Sequence, residues 1–351
     1  MNKPFSFFKL KIWRYPFNWL LVALILSILI YLVLSGIQSN GDKPLRLIVY
    51  AYSTQEEVLT QGIFPAFEQA WEAETGKGIA IEGLFGPSGT LSLQITEGAP
   101  ADIAIFSNRR HIDWLRFNRR VDRDTEPIMI ASTPLVIITR PGNPARISDF
   151  ADLTQPGIQL LHADPGSSGA GEWSVLAEYG SAYLATGDHD TAEAQLKNIW
   201  QNVRLVGSSA RANLTLFELG ACDALVTYEQ DAYLARERGV PLEIVSPPRT
   251  ILAQHYAVIV DDNVTSRERP MVEAFLDFIQ SDQGQQILSR YYLRVATIES
   301  DILPGLIHPF TVEDLGGWTQ AYNTLIEDLW KTEIKPFLAL ESANTLIGTV
   351  K

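Results

Sequence analysis

The spacing of apolar residues divides most of this 351-residue chain into short strands that alternate with amphipathic helices. A continuous apolar run predicts a buried strand over residues 45–52, and a helix is predicted over 63–75, where Phe64, Phe67 and Trp71 share one face. Further strands are predicted over residues 79–85, 103–106, 158–163 and 224–227, and further helices over 173–185, around 196–203 and from about 270. This alternation is typical of an α/β protein with a largely parallel sheet and helices on both faces.

Two extended apolar runs interrupt the alternation and suggest where the chain passes between two lobes. The first covers Pro134–Arg140 and leads into a proline-rich turn, and the second covers Tyr256–Val260 and follows a proline pair. Two such connectors favour two hinge crossings. We therefore expect lobe I to comprise residues 45–137 plus 253–345, and lobe II to comprise residues 138–252.

The N-terminal 40 residues have a different pattern. Basic residues precede a nearly continuous apolar stretch, Trp19–Leu34, and the flanked segment Tyr15–Ile37 is long enough to cross a bilayer core of about 30 Å. Because the basic residues come first, the rest of the chain is expected on the extracytoplasmic side of the cytoplasmic membrane. A transmembrane anchor with a short linker is the main interpretation of residues 1–40. A cleaved secretory signal is the alternative, since Val33–Ser35 resembles a cleavage site.

Composition narrows the functional classes. With 46% hydrophobic and 20% charged residues the chain is typical of a globular protein of two domains or lobes. Its formal net charge of −13 argues against nucleic acid, whose binding depends on Lys and Arg. It does not argue against a small anion, because distant surface charges are largely screened at physiological ionic strength. The lone Cys222 cannot form an internal disulfide and is expected to be a buried structural thiol.

Three loops carry small residues and hydroxyls at the apparent start of a helix. They read GPSGTLSLQITEGAPAD over Gly86–Asp102, DPGSSGAG over Asp164–Gly171 and GSSARA over Gly207–Ala212. The first N–H groups of a helix lack intrahelical partners, and the macrodipole adds partial positive charge there. A single such loop is commonly an ordinary N-cap. Three together predict one enclosed anion, which about five to seven hydrogen bonds of about 1.5–3 kcal/mol each would hold without Lys or Arg.

Longer stretches carry a family resemblance that covers residues 45–318. DPGSSGAGEWSVLAEYG over 164–180, the segment SSARANLTLFELGACDALVTYEQDAYLA over 208–235 and FTVEDLGGW over 310–318 resemble the bacterial periplasmic sulfate- and thiosulfate-binding proteins of ABC transporters. SGTLSLQITEGAPADIAIFS over 88–107 is similar to the molybdate binders. The resemblance identifies the superfamily more firmly than the ligand.

The resemblance implies a two-lobed type 2 periplasmic binding fold that closes on a dehydrated tetrahedral oxyanion. The expected function is a membrane-tethered monomer that captures sulfate or thiosulfate and delivers it to an ABC permease, with no cofactor and no metal. Molybdate or tungstate as the ligand, and a sensor in place of a transport component, are the alternatives. Sulfate and molybdate only accept hydrogen bonds near pH 7, whereas phosphate retains a proton that needs an acceptor. Glu56 and Glu229 are the nearest acids in sequence, and we expect them to brace a loop or face solvent.

The resemblance also implies which residues bind the anion. It places contacts at Ser88, Ser168, Gly169, Ala170 and Ala210. Gly89 and Arg211 are expected to support the loops rather than to touch the ligand.

Two positions depart from the sulfate-binding pattern. Tyr228 stands where those proteins have a tryptophan, and Tyr52 where they have an aspartate. Tyr228 is kept as a ligand-binding residue because its hydroxyl can donate, and it is shared with the molybdate binders. Ser53 or Thr54 is expected to replace the aspartate's backbone contact.

A serine hydrolase is the main rival from another class, and it is disfavoured. Ser168 lies in GSSGAG, but a nucleophile elbow needs the pattern Gly-x-Ser-x-Gly, and Ala170 occupies the last position here. No motif ties a histidine to Ser168, and no Cys/His cluster suggests a metal. The G-x-G-x-x pattern over 169–174 lacks the rest of a dinucleotide fingerprint. The chain is therefore not expected to be an enzyme.

Overall fold

The computed structural model describes residues 24–28, 45–298 and 301–338. Residues 24–28 are helical, and the described part of the chain after Leu45 forms one compact unit. Among these residues no helix is long and apolar enough to span a membrane. Most of the predicted anchor over residues 1–40 lies outside the described residues, so that anchor stays a prediction.

Ten strands of the described residues join in one mixed sheet in the order β2-β1-β3-β9-β4-β7-β5-β6, with β10 beside β9 and β8 beside β4. The strands are β1 (Leu45–Tyr52), β2 (Ile79–Gly86), β3 (Ile103–Phe106), β4 (Ile128–Thr139), β5 (Leu160–Ala163), β6 (Val203–Gly207), β7 (Ala224–Tyr228), β8 (Glu243–Val245), β9 (Arg249–Ile259) and β10 (His308–Phe310).

The helices alternate with these strands along most of the chain. They are α1 (Glu56–Val58), α2 (Phe64–Thr75), α3 (Ser88–Thr96), α4 (Arg110–Phe117), α5 (Gly169–Thr186), α6 (His189–Gln201), α7 (Ala210–Glu218), α8 (Glu229–Glu237), α9 (Arg269–Gln280), α10 (Asp282–Arg290) and α11 (Gly317–Ala321). Shorter 3-10 segments cover Ser53–Gln55, Phe150–Thr154 and Val312–Leu315, and π-helical segments cover Leu59–Ile63 and Tyr322–Ile334.

The centre of the sheet corrects the prediction of a largely parallel sheet. Parallel pairs are present, for example β1 with β3 and β5 with both β6 and β7, but β9 pairs antiparallel with β3 and β4, and β4 antiparallel with β7 and β8. The two apolar runs interpreted as connectors belong to the long strands β4 and β9. These strands pair with each other over Ile128–Pro134 and Leu252–Ala257.

Strand β4 connects two groups of strands and helices. The first half of β4 pairs with β9, and its second half pairs with β7 and β8. One apolar cluster packs α3 and α4 against β1, β3 and β9, and another packs α7 and α8 against β4, β5 and β7. Cys222 lies in the second cluster, and burial raises the pKa of its thiol to about 12, so it is the buried thiol that was expected.

Candidate functional site

The starts of five helical segments converge on one small cavity. These segments are the 3-10 turn at Ser53 and helices α3, α5, α7 and α8. The space outside protein atoms at the cavity, open solvent included, is about 180 Å³. It brings together all seven residues predicted to bind the ligand: Ser53, Ser88, Ser168, Gly169, Ala170, Ala210 and Tyr228. Tyr52, Thr54 and Ser107 also line it.

The start of α5 presents hydrogen-bond donors to this cavity. Ser168 precedes the helix in extended conformation, with φ −120° and ψ 125°, and its hydroxyl makes no capping bond to its own helix. Its N–H donates to the Asp164 carbonyl at 2.8 Å. Gly169 and Ala170 occupy the first turn, where backbone N–H groups have no intrahelical acceptor. The Ser168 hydroxyl and these amides therefore remain for a ligand.

Two glycines near the cavity lie where neighbouring atoms leave no room for a side chain. A Cβ on Gly169 would lie 2.0 Å from the Ser107 Oγ, and a Cβ on Gly89 would lie 2.6 Å from the Ser167 carbonyl oxygen. Gly89 does not line the cavity, and its supporting role stays a prediction. The loop before α5 thus packs directly against α3 and against the residue after β3.

Ser107 is the lining residue that the sequence analysis missed. Its N–H donates to the Ser88 Oγ at 3.2 Å, and the two hydroxyl oxygens lie 3.1 Å apart. Its carbonyl accepts from the Trp173 indole at 2.8 Å and lies 3.2 Å from the His255 Nδ1. Burial lowers the pKa of His255 to about 3, so this ring stays neutral and donates through Nδ1. The available signal was the position of Ser107 at the carboxyl end of β3, where ligands bind in α/β sheets.

No Asp, Glu, Lys or Arg is among the described residues that line the cavity. The Glu229 carboxylate accepts two hydrogen bonds from the Arg294 guanidinium, at 2.8 and 2.9 Å, and Glu56 is exposed. Glu229 therefore braces a neighbouring segment and Glu56 faces solvent, as predicted from the sequence. The cavity offers backbone amides and hydroxyls, which suits an anion that only accepts hydrogen bonds.

Two buried hydroxyls at the cavity have no hydrogen-bond partner among the described residues, those of Thr54 and Tyr228. Burial raises the pKa of the Tyr228 phenol well above its ordinary value, and the nearby Ser107 side chain offsets only part of that shift. The phenol therefore keeps its proton and can donate it. Because an unpaired buried hydroxyl costs about 1–3 kcal/mol, these groups point to a ligand that accepts from them.

Arg211, for which the sequence predicts a bracing role, contacts a carboxylate outside the cavity. Arg211 does not line the cavity, and its Nη2 lies 3.4 Å from the Glu57 Oε2. Burial alone would lower the pKa of Arg211, but the Asp231 and Glu57 carboxylates raise it overall. The guanidinium thus joins α7 to the helical segment that follows β1.

A second charged group lies behind the start of α5. Glu172, in the first turn, is almost fully buried and accepts from the Asn108 amide at 2.7 Å and from the Arg110 guanidinium. The Arg110 guanidinium also lies 3.7 Å from the centroid of the Tyr322 ring. Two donors therefore hold the Glu172 carboxylate, which keeps its negative charge compensated close to the cavity.

We expect Tyr228→Phe to weaken oxyanion binding by about 10-fold or more without destabilising the protein. The substitution removes a buried hydroxyl whose contact with the Ser107 side chain is not a well-formed hydrogen bond, so the free protein loses little, whereas the bound anion loses a hydrogen bond worth about 1.5–3 kcal/mol. Isothermal titration calorimetry and thermal unfolding measure the two effects. Tyr50→Phe, in the apolar cluster of β1, is the matched control. Unchanged affinity in Tyr228→Phe would show that this hydroxyl does not bind the anion.

Comparison with known proteins places this geometry in a family. The family described as "Bacterial extracellular solute-binding protein" matches residues 47–294. The sulfate-binding protein of Salmonella typhimurium is 32% identical over 296 residues, which cover 80% of this chain and 89% of that protein. The thiosulfate-binding protein of Pseudomonas aeruginosa is 31% identical, covering 74% of this chain and 83% of that one.

A solved structure agrees with the fold. The sulfate-binding protein SubI from Mycobacterium tuberculosis superposes with a TM-score of 0.74 at 27% identity, over 80% of this chain and 99% of that one. The mixed α/β architecture described above is thus the periplasmic-binding-protein fold. These similarities confirm the resemblance found in the sequence: the chain belongs to the bacterial extracellular solute-binding proteins, and within them to the sulfate- and thiosulfate-binding family of ABC transporters.

Proposed function

We propose that this protein captures sulfate or thiosulfate outside the cytoplasm and delivers it to an ABC permease. The observation that supports this most directly is the cavity itself, in which five helix starts and several hydroxyls meet and whose described lining residues include no ionised side chain. Backbone amides at helix starts stabilise a dianion through contact hydrogen bonds and the helix dipoles. The relatives named as sulfate- and thiosulfate-binding proteins support the same ligands.

The size and chemistry of the cavity support a small, fully ionised oxyanion. The centre of a water-sized sphere can occupy only about 10 Å³ of this cavity, far below the roughly 300–1,000 Å³ of sites for larger organic ligands. Monohydrogen phosphate would bring a proton to a site whose described lining residues include no carboxylate. That proton would face donors or stay unpaired, at a cost of about 1–3 kcal/mol. Selectivity against phosphate by about 5- to 150-fold follows from that cost.

The lobes proposed at residues 45–137 plus 253–345 and at 138–252 give this site a way to close. Contacts between the proposed lobes surround the cavity: the Trp173 indole donates to the Ser107 carbonyl, and the Gln55 amide donates to the Gln230 side chain at 3.3 Å. The crossings lie in β4 and β9, whose mutual pairing ends at Pro134 and Leu252. Ligand binding would favour closure only by the difference between its affinities for the closed and open states.

The N-terminal segment, residues 1–40, is proposed as the membrane tether of a monomer whose binding unit faces the extracytoplasmic side. Its basic residues followed by an apolar stretch support this orientation. The tether would keep the binding unit close to the permease. The binding unit is proposed to have no catalytic role, in line with the solute-binding family to which the chain belongs.

Molybdate or tungstate is the alternative ligand, and one observation favours it. The unpaired Tyr228 hydroxyl occupies the position where the sulfate-binding pattern has a tryptophan, and a phenol is less bulky than an indole. The site therefore has more room at this point, which a larger tetrahedral oxyanion would use. The same protein in a sensing role would bind the same anions.

The test is calorimetric titration of the full chain in detergent micelles, dialysed free of oxyanions, with sulfate, thiosulfate, molybdate, tungstate and phosphate in turn. We expect sulfate or thiosulfate to bind with micromolar or tighter affinity and phosphate to bind at least about 5-fold more weakly. Preference for molybdate or tungstate would replace the proposed ligand with the alternative. Failure of every oxyanion to bind would refute the anion site.

A further inference from the structure

A second cavity lies at the other end of α5, far along the helix from the anion site. The centre of a water-sized sphere can occupy about 160 Å³ of it, less than in sites for drug-sized ligands but enough for a small planar group, and it shares no lining residue with the anion cavity. Its walls are the C-terminal half of α5, the start of α6 and the segment 314–325. We refer to it as the α5 pocket.

Three rings form one wall of the α5 pocket. The centroid of Tyr183 lies 4.3 Å from that of His189 and 5.8 Å from that of Tyr179, with interplanar angles of 25° and 24°. The Tyr179 hydroxyl lies 2.5 Å from the His189 Nδ1. Burial, with a smaller contribution from Glu193, raises the pKa of Tyr179 to about 12, so this phenol keeps its proton in the hydrogen bond that it shares with the imidazole. The hydrogen bond fixes two of the rings before any ligand arrives.

The opposite wall is held in place by close packing. A Cβ on Gly180 would lie 2.6 Å from the Phe310 ring and 3.3 Å from Leu315, so only glycine lets this segment rest directly on α5. The Asp314 carboxylate accepts from the Thr311 N–H at 2.8 Å and from the Thr311 hydroxyl at 3.2 Å. Both contacts use Oδ2, which leaves Oδ1 for a ligand. The α5 pocket is thus a preformed site with one fixed carboxylate.

The charges around the α5 pocket select against an anion. Asp314 lines it, and no Lys or Arg is among the described residues that do. Asp188 and Asp190 flank His189 in the sequence, and Glu313 precedes Asp314. Aromatic faces attract cations and stack with planar groups, and a nearby carboxylate adds to that attraction.

We propose that the α5 pocket binds a planar organic cation, such as an amidinium or a ring-bearing ammonium. Its ring would lie against Tyr179, Tyr183 and His189, and its charge would lie near Asp314. This site is chemically the opposite of the anion cavity, so the inference does not rest on the proposed function. Its occupation would be detected whether or not the anion binds.

The experiment uses three probes of nearly equal shape that differ in charge: benzamidinium, benzamide and benzoate. Each is titrated against the full chain in detergent micelles and followed by saturation-transfer NMR. We expect benzamidinium to bind at least about 10-fold more tightly than benzoate, with benzamide between them. Equal binding of all three, or no binding of benzamidinium, would overturn the proposal.

Two variants locate the probe. Tyr183→Leu is expected to weaken benzamidinium binding by about 5-fold or more, and Asp314→Asn by about 3-fold, while benzamide binding responds to the first change only. Asp282→Asn, at the start of α10, is the matched control for the loss of a carboxylate. Thermal unfolding shows whether each variant remains folded. Unchanged benzamidinium affinity in folded Tyr183→Leu and Asp314→Asn would show that the cation binds elsewhere.

Discussion

Gly169→Ala is expected to lower sulfate affinity by about 100-fold or more. The added Cβ would lie 2.0 Å from the Ser107 Oγ and 3.2 Å from the Asn108 Nδ2, so the start of α5 or the Ser107 side chain must move. A shift of α5 displaces the amides of its first turn from the cavity, and a rotation of Ser107 breaks its contact with the Ser88 Oγ. Each amide bond to a charged acceptor contributes about 1.5–3 kcal/mol, so losing two costs about 3–6 kcal/mol.

Calorimetric titration with sulfate measures this effect, and the control is another glycine. Gly78→Ala adds the same methyl group where no atom lies within 4 Å and where the backbone is not left-handed. We expect its sulfate affinity to equal that of the unmodified protein. If Gly169→Ala bound sulfate as tightly as Gly78→Ala, the first turn of α5 would not be part of the anion site.

The three loops at the starts of α3, α5 and α7 could be predicted from the sequence, because the residues that mark a helix start are adjacent in the chain. A glycine or serine immediately before an apolar helix marks an exposed helix start, and this holds at Ser88, Gly169 and Ala210 without knowledge of the rest of the fold. The start of α5 was nevertheless placed four residues too late, at 173. Helix prediction relied on the spacing of large apolar side chains. Gly169, Ala170 and Gly171 have none, so the spacing did not indicate the first turn.

The features that were missed depend on contacts distant in sequence. The antiparallel pairing of β4 with β9 joins residues more than 110 positions apart, and an apolar run alone does not distinguish a central strand from a connector. Ser107 reaches the cavity because β3 lies between β1 and β9. The Glu172 carboxylate is paired with Arg110 of α4, which lies 62 positions earlier in the chain. Each of these features requires the three-dimensional arrangement.

The absence of ionised side chains from the described lining of the cavity has a physical advantage. A site that paired the dianion directly with Lys or Arg would replace its strong hydration with an equally strong ionic contact. Such a site would bind any anion of similar size. Amides and hydroxyls fixed by the fold need no reorganisation when the ligand enters, and their directions discriminate by the number of acceptors. A negative charge close to the cavity would repel the anion unless a cation neutralised it. Glu172 carries such a charge, and Arg110 neutralises it.

Arg110→Met is expected to destabilise the protein by about 3 kcal/mol and to weaken sulfate binding by about 100-fold. It leaves Glu172, whose side chain is 2% exposed, without its cationic partner, and an uncompensated buried charge costs about 3–5 kcal/mol. The 23% exposure of Arg110 places the effect at the lower end. Less than one helical turn separates Glu172 from Gly169, so the carboxylate would repel the bound dianion by a few kcal/mol at an effective dielectric constant of about 20.

The double variant Arg110→Met/Glu172→Gln separates this electrostatic cause from a loss of packing. It removes both charges and keeps the Asn108 side chain beside an amide, so stability and sulfate affinity are expected to recover most of the loss. Glu172→Gln alone leaves a partly exposed cation over the Tyr322 ring and is expected to retain or increase sulfate affinity. Urea unfolding and calorimetric titration of all four proteins complete the cycle. A double variant as weak as Arg110→Met alone would show that Arg110 supports the site by packing and not by neutralising Glu172.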